Sequence, residues 1–241
     1  MKIFTLAKRN LKEMLRDPLS TVFCLIFPLV MLVLMSVIFS SMEYVPENFK
    51  ITSYASGICV FGFTFTSLMV ALQITSDKNT SFIKRINISP IKKSTYLFSF
   101  FFSALPVTIA QILIFYVVAL CFGFPFDGNF FLSILYLLPS ACLYIVIGIL
   151  IGSICKNEKQ TGPISSIFVS LAGILGGVFM PISTFSGAFK TFVDILPFSH
   201  SVLIASEVHT AGVSAIYPHI LWILGYTLLF ALLVVLIERK K

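Results

Sequence analysis

Charge is scarce in this chain of 241 residues: Asp, Glu, Lys and Arg make up 11% of it, against roughly 25% in an ordinary soluble domain. Hydrophobic residues make up 58%, and the mean hydropathy is +1.00. Such a composition cannot be wrapped in a polar surface, so the solvent must be lipid. No Gly-Lys pair occurs anywhere, which excludes a GxxxxGK[ST] phosphate loop and leaves any nucleotide hydrolysis to another chain. None of the five cysteines (Cys24, Cys59, Cys121, Cys142, Cys155) is spaced as CxxC, and no histidine joins them in a zinc pattern. They read as small buried apolar residues. Low-complexity tracts and internal repeats are also missing, and no segment outside the apolar runs could build its own core. Residues 1–241 therefore read as one domain.

What is present is a series of six apolar runs, near 20–40, 54–75, 96–123, 130–154, 163–181 and 217–237. Each is close to the roughly 20 residues a helix needs to cross a bilayer. The first is too long for a cleaved signal, and no small-residue cleavage site follows it. The net charge of +7 is placed at the ends of these runs rather than in a basic stripe with interleaved aromatics, which argues against nucleic acid. With both termini cytoplasmic, 15 of the 17 Lys and Arg residues fall on the inner side, leaving only Lys50 and Lys190 outside. The expected fold is an all-α, multi-pass membrane protein of six transmembrane helices.

No Asp, Glu, Lys or Arg lies deep in any run. Ion-coupled carriers need such groups to partner translocated charge in hydrocarbon, so that class is disfavoured. Gln73, Gln111 and Thr108 are the strongest polar groups inside, and helix–helix hydrogen bonds can satisfy them. An outer-face enzyme would have to work through His200, His209, His219, Asp194 or Glu207, whose spacing fits no zinc pattern. The expected chain is not an enzyme and holds no metal or cofactor.

Two polar stretches carry organisation. Residues 2–17 are amphipathic: Ile3, Phe4, Ala7, Leu11, Met14 and Leu15 share one helical face, and Lys8, Arg9, Lys12, Glu13 and Arg16 the other. Such a helix should lie in the headgroup plane, until Asp17-Pro18 turns the chain into the bilayer. The second stretch, 76–95, holds five Lys and Arg. Within it Phe82, Ile83 and Ile86 fall on one side of a short helix, with Lys84 and Arg85 on the other, and Ser89-Pro90 ends the turn. It reads either as a solvated positive-inside loop or as a docking helix whose apolar side enters a groove on a partner. Beyond the fifth run, Gly173, Gly176 and Gly177 lead to Pro181. Residues 182–200 then stay apolar up to Pro197, which suggests a re-entrant or interfacial hairpin on the outer face.

Three stretches in order resemble the ABC-2 type transporter permeases, the membrane subunits of ATP-binding-cassette exporters. Arg9 to Pro18 with Leu11, Arg16 and Asp17, followed by Phe27-Pro28-Leu29, is similar to the family's elbow helix and first span. Asp77 to Pro90, through Thr80, Phe82, Ile83, Lys84, Arg85, Ile86 and Ser89, is similar to its ATPase-coupling loop, with Ser81-Phe82 where Gly-Thr is usual. Lys156-Asn157-Glu158-Lys159-Gln160, then Gly176, Gly177 and Pro181, then Leu196-Pro197, is similar to its inner turn and outer hairpin. The resemblance implies a second permease subunit, a cytoplasmic ABC ATPase carrying ATP and magnesium, and a bacterial cell membrane. It also implies export of a cargo, expected from the apolar spans to be an amphiphilic drug, antimicrobial peptide or lipid-linked molecule.

Overall fold

The structure is a computed structural model and describes residues 2–45, 49–89, 91–210 and 213–239. Pro90 and the side chain of Lys84 lie outside the described residues. Among the described residues the architecture is helical, with no strand.

The elements follow the polar punctuation of the sequence. α1 (Lys2–Arg16) stops at Asp17, and Pro18, which lacks an N–H, opens the short α2 (Pro18–Thr21). A π-helical turn (Val22–Ile26) leads into α3 (Phe27–Ser40). α4 (Ile51–Lys78) is followed by the eight-residue α5 (Ser81–Ile88) and by α6 (Lys93–Cys121). α7 (Gly128–Ile154) is capped by Asp127, whose carboxylate accepts the Phe130 N–H at 3.0 Å. α8 (Glu158–Leu175) is capped by Asn157, which accepts the Gln160 N–H at 3.1 Å, while Gln160 accepts the Lys156 N–H at 3.1 Å. A 3₁₀ turn (Ile182–Thr184), α9 (Gly187–Ile195), α10 (Pro197–Thr210) and α11 (Val213–Arg239) complete the chain.

Five helical stretches are long and apolar enough to cross a membrane: Val22–Ser40, Ile51–Lys78, Lys93–Cys121, Gly128–Ile154 and Ala215–Arg239. They match five of the expected runs. The run expected at 163–181 is not among them. Its helix starts earlier, at Glu158, and carries Glu158, Lys159, Gln160 and three serines, so it is less apolar than the sequence window suggested. A sixth candidate exists only if α9 and α10, bent by 76° at their junction, count as one broken element.

α4 is the axis of the bundle. Residues 54–67 are all buried, and α7, α8, α6, α10 and α3 pack around it. The α4–α7 seam depends on close backbone approach: a Cβ added at Gly148 would lie 2.5 Å from the Ser67 carbonyl oxygen, and one at Gly152 2.9 Å from Ile74 Cβ. The small-xxx-small spacing of Gly148 and Gly152 is therefore used within the chain. α8 ends in a Schellman arrangement, with the Val178 N–H donating to the Gly173 carbonyl and Gly177 N–H to Ile174, both at 3.2 Å. Gly177 holds φ +79°, a conformation that disfavours a side chain.

Candidate functional site

The basic segments gather at one end of the bundle. Lys78, Lys93 and Glu238, from the ends of α4, α6 and α11, and Lys156, from the turn after α7, line a single crevice there of about 330 Å³. At this end α1 is fastened to the rest of the molecule. The Arg9 guanidinium donates to both carboxylate oxygens of Asp77, at 2.6 and 2.8 Å, and pairs with Glu13 at 2.7 Å. Tyr96 OH donates to Asp77 at 2.8 Å, and Arg9 Cζ lies 3.9 Å above the Phe82 ring. Burial acts to lower the Arg9 pKa, but hydrogen bonding to Asp77 and the charges of Asp77 and Glu13 outweigh it, and the net shift is upward. Asn10, fully buried, donates to Ser99 at 2.9 Å, and its carbonyl accepts from Gln73 at 3.1 Å. One cluster thus ties α1, α4, α5 and α6.

This placement changes the reading of α1. Arg9, grouped by periodicity with the solvated basic face, is half-buried, because Asp77 at the end of α4 and Phe82 of α5 lie against it. The apolar face divides too. Ala7 and Met14 are buried in the bundle with Leu6, whereas Phe4 and Leu15 are about two-thirds exposed. Lys8, Lys12, Arg16 and Asp17 remain exposed, Leu11 is intermediate, and Pro18 begins α2.

The expected coupling residues separate into two groups. Ile86 is buried, and Phe82 and Ile83 pack with it against Val70, Ile74 and Tyr96 of the same chain. The apolar side of α5, expected to enter a groove on a partner, is occupied by the chain's own core. Among the described side chains of α5 the exposed ones are Ser81, Arg85 and Ile88, the last 88% exposed. Thr80 and Ser89 close local turns, donating to the carbonyls of Asp77 and Ile86 at 2.7 Å each. Lys78 was not singled out from sequence, yet its Nζ donates to the carbonyls of Gly152, Ser153 and Cys155 at 2.7, 3.1 and 2.6 Å. It caps the C-terminus of α7, where a cation complements the helix dipole. Its signal was its position at the end of a span, shared with every other basic residue.

At the far end, Gly176 and Gly177 terminate α8, Pro181 precedes the 3₁₀ turn and Pro197 opens α10. His200 and His219 meet there with Glu207, while His209 lies apart, 3.2 Å from Ser133. Among the described residues no cluster of three His, Cys, Asp or Glu could hold a metal.

Comparison with known proteins agrees with this architecture. The chain is 24% identical over 193 residues to the Bacillus subtilis (strain 168) protein YvfS, named for a transport permease, covering 78% of this chain and 77% of that one. It is 22% identical over 167 residues to ABC transporter G family member 20 of Dictyostelium discoideum, a match that covers 69% of this chain but spans only 23% of that protein. The family model of the ABC-2 type transporters matches residues 1–208. The chain belongs to the ABC-2 type transporter family, whose members are the membrane components of ABC transporters.

Proposed function

We propose that this chain is the permease subunit of an ATP-driven exporter, working as a pair with a second permease copy or related chain. A separate cytoplasmic ATPase would bind ATP and magnesium, and the cargo would be amphiphilic or hydrophobic. The observation that carries the reading is α5. Its apolar side is held by the chain's own core, yet Ile88 stands 88% exposed beside Arg85, at the end where the basic segments gather. An isolated exposed isoleucine on a short helix at the membrane edge suits a protein contact, with Arg85 at its rim. The Arg9–Asp77–Tyr96 cluster would pass the movement of α5 to α1, α4 and α6.

Membrane orientation follows the same asymmetry, with both termini on the cytoplasmic side of a bacterial cell membrane. Support for α8 as a fifth crossing comes from its course along α4. Glu158 and Gly162 share a cavity with Ser76, Asp77 and Thr80, while Val178 meets Gly57. About 20 residues of each helix run side by side, roughly 30 Å at 1.5 Å per residue, which is the thickness of the hydrocarbon core. α10 stays in the outer half, since its bonds to α7 run from Ser140 to Ser133 and do not approach Gly152. The α9–α10 pair then serves as a re-entrant element.

Affinity purification from the native host tests the reading. The wild-type chain should bring down a P-loop ATPase in stoichiometric amount, and Ile88→Asp should release it. Truncating a dominant interface side chain typically loses roughly 2 kcal/mol or more. Purification of the wild-type chain without any ATPase would refute the proposal.

A further inference from the structure

The crevice at the basic end has a charged rim and an apolar wall. Its rim comes from helix ends: Lys93 opens α6, Lys156 follows the last turn of α7, and Glu238 lies one residue from the end of α11. All three helices are long and apolar enough to cross a membrane, so their ends set the crevice at headgroup depth. Ile83 and Ile86 of α5 and Leu97 of α6 form the wall, and Ile86 and Leu97 belong to the buried core. The volume, about 330 Å³, falls at the small end of the roughly 300–1,000 Å³ of small-molecule pockets.

The charges lining the crevice are unevenly used. Lys78 has its three N–H donors on the carbonyls of Gly152, Ser153 and Cys155. It cannot reach out to a ligand, but it offsets the negative end of the α7 dipole, which would otherwise repel an anion. Asp77, bound to the Tyr96 hydroxyl, is already paired with Arg9. Glu238 is the single carboxylate among the lining residues. Lys93 and Lys156 are exposed, and among the described residues neither ammonium has a hydrogen bond or an ion pair. Membrane orientation requires only that lysines lie outside the spans on one side. It does not require two unpaired ammoniums from different spans to line one crevice with an apolar wall.

We propose that this crevice binds one anionic phospholipid of the adjoining leaflet. Its phosphodiester sits between the Lys93 and Lys156 ammoniums, and its glycerol and first methylenes lie against Ile83, Ile86 and Leu97. An ammonium receives phosphate as a point charge, without the fixed fork that arginine imposes. Basic pockets between spanning helices hold anionic headgroups in this way. A zwitterionic lipid brings its own cation into the same space, so charge selects between lipids of equal chain length. The bound lipid bridges α6 to α7 beside α5, and it needs neither an ATPase nor a cargo to do so.

Native mass spectrometry of the purified full-length chain tests this, with phosphatidylglycerol and phosphatidylcholine of identical acyl chains as probes. The wild type should retain one phosphatidylglycerol per chain in preference to phosphatidylcholine. Each lysine near an anionic headgroup contributes a factor of about five, so Lys93→Gln with Lys156→Gln should weaken phosphatidylglycerol about twenty-fivefold. Phosphatidylcholine should be unaffected by that pair. Lys8→Gln with Lys12→Gln removes two exposed charges from α1 and should change neither lipid. Equal retention of the two lipids by the wild type would overturn the proposal, whether or not a variant folds. So would equal weakening by the two pairs of substitutions. Glycerol phosphate displacing the lipid at equal concentration would assign the crevice to a soluble anion instead. Loss of a co-purified partner protein from the Lys93→Gln, Lys156→Gln chain, with lipid binding intact, would assign it to a protein contact.

Discussion

Arg9→Ala would remove the cation from a carboxylate that has little else to neutralise it. The Asp77 side chain is 6% exposed and Arg9's is 28% exposed. Breaking a buried ion pair by deleting one partner typically costs about 3–5 kcal/mol, because the other charge is left uncompensated. Here the lower end applies, since Tyr96 still donates to Asp77. Loss of the cation stacked on Phe82 adds a few tenths to about 1 kcal/mol. Arg9→Ala is therefore expected to cost about 3 kcal/mol, and Asp77→Ala a similar amount. The pair Arg9→Ala with Asp77→Ala should cost much less than their sum, leaving a coupling of about 2 kcal/mol within the 0.5–3 kcal/mol seen for contacting residues. Chemical unfolding of the three variants in one detergent measures the cycle, with ATPase-linked transport followed in parallel. Additive costs, with coupling below about 0.5 kcal/mol, would show that Arg9 and Asp77 do not act as a unit.

Gly177→Leu places a side chain at φ +79°, where an L-residue loses roughly 1–2 kcal/mol, and against Ile182 Cγ1 at 2.8 Å. It should impair transport while ATPase association survives, and wild-type transport would argue against a shaped turn. Gln111→Leu removes the Nε2 donor to the Cys24 carbonyl at 2.9 Å and should cost about 1–3 kcal/mol. Pro28→Ala restores a backbone N–H four residues beyond Cys24, so the same substitution should cost less in that background. Equal costs in both backgrounds would disprove the link.

Five of the expected runs agree with the observed helices because hydropathy and charge placement are local properties. The amphipathic opening also formed a helix where its period put it. What covers each helical face was not legible. Arg9 and Asp77 are 68 positions apart, and only the packing of α1 on α6, beside the end of α4, turns a basic residue on a wet-looking face into a half-buried partner. α5 shows the same limit: its period marked Phe82, Ile83 and Ile86 as an apolar anchor but could not say that the anchor's seat is the chain's own core. His200 and His219 were weighed only as part of an outer-face set with His209, Asp194 and Glu207, and their pairing was not legible, since their spacing of 19 spans two different helices. The fifth run differs in its bounds: its helix spans Glu158–Leu175 rather than 163–181, because it begins at the Asn157 cap and leaves helical geometry at Gly176 and Gly177.

Gln111 carries the clearest lesson about polar groups in lipid. Read from sequence it could be satisfied by a helix–helix hydrogen bond, and Thr66 does donate to its Oε1 at 3.3 Å. Its stronger bond goes to a backbone carbonyl, at the position from which Pro28 withholds its usual donor. Hydrocarbon offers no water to take that place, so a side chain from α6 must. The proline and the glutamine thus belong to one structural decision, made on helices 83 residues apart in sequence. Gly62 completes it, because a Cβ there would collide with the Gln111 amide. A proline inside an apolar run is therefore a reason to look for an amide in another run, and a glycine in a third that lets it reach.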